Sequence, residues 1–85
     1  MSFKVNVPKI VRKSVEKIPL PWRERVLLVL LRLPEEPFLG KKLEGKERGK
    51  RRIRVWPYRI IYKIDVSAKV IDVHEVKHRG SVSYD

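Results

Sequence analysis

Apolar residues change their spacing twice along this chain, and prolines stand close to the changes. Residues 2–7 alternate polar and apolar with Phe3, Val5 and Val7 on one side, the period of a half-buried strand. Pro8 then suits the first turn of a helix, where its missing N–H costs nothing. Ile10, Val11, Ser14, Val15 and Ile18 follow at helical spacing, which predicts a helix over 8–17. Pro19 ends it and Pro21 opens a second, over 21–33, whose leucine richness favours helix over buried strand. Two prolines and a glycine make 34–40 a loop, and 41–50 is a charged stretch. From residue 51 the alternation returns through 76, interrupted at Pro57 and at a hairpin connection over 66–69. The expected order is β-α-α-β-β-β, an α+β fold: an antiparallel sheet with a two-helix hairpin on one face.

Size narrows this further. Eighty-five residues hold one domain and bury about 60% of the unfolded surface. With no cysteine, neither a disulfide nor a thiolate-metal site supplements the core. No apolar run approaches the roughly 18–20 residues of a membrane span; the longest, 26–31, is six. That run is wider than one helix face needs, so it is either core or an exposed stripe for a partner. The first residues lack a signal peptide's apolar stretch, and a cytoplasmic location without membrane contact is expected. The chain has no Thr or Gln and one Asn, a composition that resembles thermophile proteins.

The charge has an address. Of the net +11, residues 41–54 carry +6, through Lys41, Lys42, Lys46, Arg48, Lys50, Arg51, Arg52 and Arg54 against Glu44 and Glu47. Clustered cations bind phosphates by releasing counterions, so these residues are candidate nucleic-acid contacts rather than only a solvated loop. If the helices cover the Ile53 and Val55 side of the sheet, Arg52 and Arg54 project from the other face. Arg59 shares a side of its strand with Ile61 and Lys63. Trp56 follows the alternation of Arg52 and Arg54 and could stack on a base; Tyr58 and Tyr62 are expected in the core.

Residues 52–64, RIRVWPYRIIYKI, resemble the "RIRVGDYRIIYKI" block of the RelE/ParE toxin superfamily. Lys42-Leu43-Glu44-Gly45 matches that family's "KLxG", and Val76-Lys77-His78-Arg79 its "xxHR". The resemblance implies one RelE-like domain over 1–85, a type II toxin held by an acidic, partly disordered RelB-like antitoxin. In the RelE branch it implies an endoribonuclease that cuts mRNA in the ribosomal A site. The ParE branch poisons gyrase instead, and a non-catalytic RNA- or ribosome-binding module is a further alternative.

Position by position, the resemblance makes Arg52 and Arg54 stand where bacterial RelE has two catalytic lysines. Arg59 matches its phosphate-stabilising arginine, Lys77 or Arg79 its strand-end cation, and Tyr84 its stacking tyrosine. Cleavage by the RNA's own 2′-hydroxyl needs charge stabilisation, a proton acceptor and a proton donor, and no metal or other cofactor is expected. Arginine is effectively always protonated, so Arg52 is a poor acceptor, and Lys77 or His78 is electronically better suited. His74 has no support from the motif and is set aside as an ordinary strand histidine.

Overall fold

The computed structural model describes residues 2–80. Its elements are β1 (Lys4–Asn6), α1 (Lys9–Glu16), α2 (Trp22–Arg32), β2 (Lys41–Lys42), β3 (Lys50–Val55), β4 (Tyr58–Asp65) and β5 (Val70–His78), with a short 3₁₀ turn at Gly45–Glu47. Both helices start where the prolines predict. The Arg12 N–H bonds Pro8 O at 2.9 Å, and the Arg25 N–H bonds Pro21 O at 3.3 Å. Val11 and Val15 lie one turn apart and are buried, and Ile18 continues their line into the core.

The sheet order is β1-β5-β4-β3-β2. β3, β4 and β5 form the expected antiparallel meander. Two details differ from the expectation. β1 runs parallel to β5, with Val5 opposite Ile71, so the five-stranded sheet is mixed. The charged stretch contributes a strand of its own, β2, antiparallel to β3 with Lys41 opposite Arg52. The meander has two free edges, and each is covered by a short strand, which limits edge-to-edge association.

The core lies between the helices and one sheet face. Val26, Leu33, Ile60, Tyr62, Ile71 and Val73 are fully buried there. The leucine-rich run of α2 divides: Val26 faces the core, Val29 and Leu30 are half-buried, and Leu28 and Leu31 stay 61% and 73% exposed. Leu27, Leu30 and Leu31 join Val5, Val7 and Pro34 along an apolar groove beside β1.

A buried phenol ties the 34–40 loop to the sheet. Tyr62 Oη donates to Pro37 O at 2.8 Å and accepts from the Gly40 N–H at 2.8 Å. Gly40 has no alternative, since a Cβ there would meet Tyr62 Oη at 2.8 Å and Arg52 O at 3.0 Å. The same strap lays β2 against β3 and so helps place Arg52. Tyr62→Phe removes one hydroxyl and leaves two backbone groups unpartnered; its expected cost is about 1–3 kcal/mol, read from chemical denaturation.

Burial holds the Tyr62 phenol above its ordinary value, outweighing the Gly40 hydrogen bond and the nearby Arg51 charge that pull it down. The folded chain therefore keeps that proton more tightly than the unfolded chain. This stabilisation is complete below about pH 10 and declines as the pH rises through the folded-state value. Tyr62→Phe should lose that alkaline component, seen as a flatter fall of Tm above about pH 10 than in the parent.

Candidate nucleic-acid interface

Strand pairing builds the site. Arg54 lies opposite Arg59, and Arg59 lies opposite Lys77, so three cations form one row across β3, β4 and β5. The adjacent row runs Arg52, Ile61, Glu75. Paired residues point the same way, and Ile53, Ile60 and Val76 form the alternate row on the helix side. The face away from the helices is therefore the basic one, as the alternation of Arg52 and Arg54 predicts. Like charges directly opposite one another are destabilising, so this row opposes the fold it stands on.

Arg52, Arg54, Arg59 and Arg79 line a cleft of about 300 Å³ with Trp56 and Pro57 at its wall. Trp56 and Pro57 are the two residues between β3 and β4, and the Trp56 ring is 66% exposed. Pro57 O accepts the Arg79 N–H at 2.9 Å, which places the end of β5 beside this turn. The Nε atoms of Arg52 and Arg59 are buried without a hydrogen-bond partner. A guanidinium with a buried donor unanswered is costly to hold, and an anion bound to its exposed edge offsets that cost through its charge.

Other candidates fall elsewhere. His78 shares a row with Val55 and Tyr58 on the helix side of the sheet, edge-to-face with Tyr58 at 5.2 Å, and its Nδ1 accepts the Gly80 N–H. It is not brought to the arginine cleft; one position in a period-two strand reverses the face. Lys77 is on the same face as the cleft, across from Arg59 and 3.8 Å from the Glu75 carboxylate, but it lines the neighbouring hollow with Ile61 and His74 rather than the cleft itself. Arg51 also points the other way: its guanidinium donates to Gly40 O at 2.7 Å and lies over the Phe38 ring, so it holds the strap rather than facing the cleft. Lys41 and Lys42 are exposed on the edge strand, Lys46 on the 3₁₀ turn and Arg48 just after it. Lys50 is in phase with Arg52 on β3 and lines the hollow next to the cleft, paired with Glu47 at 3.3 Å. Tyr84 lies outside the described residues.

His74, set aside in the sequence, does reach the basic face. The β4–β5 register shifts between Ile61 and Tyr62, so Ile61 faces Glu75 while Tyr62 faces Val73. This bulge leaves His74 unpaired. Counting back from buried Val76, plain alternation would put His74 beneath the helices and Val73 outside. The bulge reverses both, burying Val73 and sending His74 to the open side. The local mark is the spacing Ile71, Val73, Val76, where two polar residues instead of one separate the last two apolar ones.

Residues 9–82 match the family described as ParE toxin of type II toxin-antitoxin system, parDE. The chain is a toxin of the RelE/ParE superfamily. A chain of the archaeal RelE–RelB complex from Pyrococcus horikoshii OT3 superposes on this toxin with TM-score 0.80 at 32% identity, covering 94% of this chain and 98% of that one. The RelB–RelE complex from Methanococcus jannaschii gives TM-score 0.73 at 26% identity, over 89% and 92% of the two chains. The isolated Escherichia coli RelE shares the fold, with TM-score 0.77 at 21% identity over 91% and 84%. These likenesses put the toxin with the RelE-like branch. No curated protein matched by sequence. Among the described residues no helix is long and apolar enough to cross a membrane, and no three acidic or histidine side chains gather as a metal site.

Proposed function

We propose that this toxin is an mRNA interferase that cleaves message in the ribosomal A site, acting in the cytoplasm and neutralised by an acidic RelB-like antitoxin. The observation that carries this is the row Arg54–Arg59–Lys77 beside Arg52, with two buried Nε donors unanswered. A self-repelling arrangement of this kind opposes folding, which argues that it persists for an anionic ligand.

The chemistry follows from the cleft. The 2′-hydroxyl gives up its proton as its oxygen attacks the adjacent phosphorus, forming a 2′,3′-cyclic phosphate, and the P–O5′ bond breaks as O5′ takes up a proton, so no net proton is consumed. Arg54 and Arg59 would hold the non-bridging oxygens, whose charge grows in the transition state. Arg79, across the cleft beside Pro57, would serve the leaving oxygen. Trp56 offers an exposed ring on which a base stacks. Lys77 stands opposite Arg59 as a cation or proton carrier. Holding message and toxin together on the ribosome supplies positioning that a sparse constellation lacks.

The solved relatives from P. horikoshii and M. jannaschii are complexes with RelB. The apolar groove of Val5, Val7, Leu27, Leu30, Leu31 and Pro34 gives an antitoxin an apolar seat on this chain, and the +11 charge attracts an acidic one.

Primer extension on message from translating ribosomes tests the activity. New 5′ ends mapping within ribosome-engaged codons are expected at inhibitory doses. Intact message at doses that stop growth would overturn the reading, and loss of gyrase supercoiling under those conditions would assign the toxin to the other activity of its superfamily.

A further inference from the structure

Beyond the arginine cleft the basic face continues into a trough of about 530 Å³ whose lining differs in kind. The two share Arg52 and Arg59. Apart from the shared arginines, the trough is lined by Ile61, only 6% exposed, half-buried Leu43, His74 and two ion pairs, Glu75–Lys77 and Glu47–Lys50. Each lysine there is offset by a carboxylate, which has no hydrogen to donate when ionised, so this end of the face lacks the excess of donors that the cleft offers a phosphate. A nucleobase has the complementary character, with apolar faces and a polar edge.

We propose that this trough is a nucleobase subsite in which the Glu75 carboxylate selects bases bearing an exocyclic amino group. The inference rests on the open face binding RNA. With the phosphate in the cleft of Arg52, Arg54 and Arg59, one neighbouring nucleoside lies toward Trp56 and the other enters the trough. Its ring rests on Ile61 and Leu43 and against His74, which the bulge alone brings there. Its edge meets Glu75, held 3.8 Å from Lys77 Nζ. Guanine, cytosine and adenine present amino donors to a carboxylate, whereas uracil has no exocyclic amino group.

The test uses the intact toxin and 2′-O-methyl dinucleotides, UpX and XpU for each base X, which cannot be cleaved by 2′-attack. NMR titration follows the Arg52 and Arg59 Nε–H signals, the Ile61 methyls and the His74 ring. Amino-bearing dinucleotides should bind about tenfold tighter than UpU and shift all four groups. Glu75→Gln should cut that preference to about twofold or less. His74→Ala should weaken every base alike, about fivefold or more. If the arginine signals move while Ile61 and His74 do not, or if Glu75→Gln keeps the preference, the subsite is overturned and phosphate binding stands. If the arginine signals stay still with every dinucleotide, the RNA-binding reading falls with it.

Discussion

Arg59→Met is expected to lower the proposed ribosome-dependent cleavage of mRNA by about a hundredfold or more while raising the melting temperature of the toxin. The activity loss follows from removing the central donor of the cleft, where one preorganised electrostatic contact is worth about 10²–10³ in rate. The gain in stability is the less usual half. Arg59 lies directly between Arg54 and Lys77, and its buried Nε has no partner. Methionine keeps an unbranched stem over the sheet and removes the charge. Relief of two like-charge cross-strand pairs is worth about 0.4–2 kcal/mol, a rise of about 2–16 °C for a domain of this size. Scanning calorimetry at low salt shows it best, and added salt should narrow the gap between variant and parent, because screening weakens the repulsion. A lower Tm with normal circular dichroism would show that the row does not oppose the fold. Undiminished cleavage by Arg59→Met and by Arg54→Ala would remove both arginines from the chemistry.

Leu33→Ala should destabilise the chain by about 2–5 kcal/mol, whereas Leu31→Ser should change it by less than about 0.5 kcal/mol. The two leucines are two positions apart, yet Leu33 is fully buried and Leu31 is 73% exposed. A domain of 85 residues has about 4–13 kcal/mol of stability in all, so the first change consumes a large share of it. Its Tm should fall by about 10–30 °C. The second leaves the fold intact and removes apolar surface from the groove beside β1. Comparable Tm values for the two variants would mean that α2 packs by another face. If Leu31→Ser also leaves antitoxin affinity unchanged, the groove is not the antitoxin's seat.

Much of the architecture is legible because local rules act alone there. Pro8, Pro19 and Pro21 bracket the helices to within a residue or so, since a missing N–H and a fixed φ allow few alternatives. The alternation of 51–55 and 58–65 assigns Arg52, Arg54 and Arg59 to one face, because a strand's side chains alternate whatever it pairs with. The meander follows from short connections, and the motif at 52–64 led to the superfamily. His78 and Arg51 mark the limit. Their residue type suits the site, but each stands one position out of phase with the arginines, and a strap or an aromatic neighbour holds it on the other side.

The elements, their order, and the basic side of β3 and β4 are all consequences of chain geometry within a few residues. That Arg54, Arg59 and Lys77 stand abreast, that β1 joins β5 in parallel, and that His74 turns outward comes instead from how distant strands pair. The reason is common to all three. Register between strands and the placing of a bulge depend on which apolar residues reach the shared core, and Val73 reaches it by displacing its neighbour.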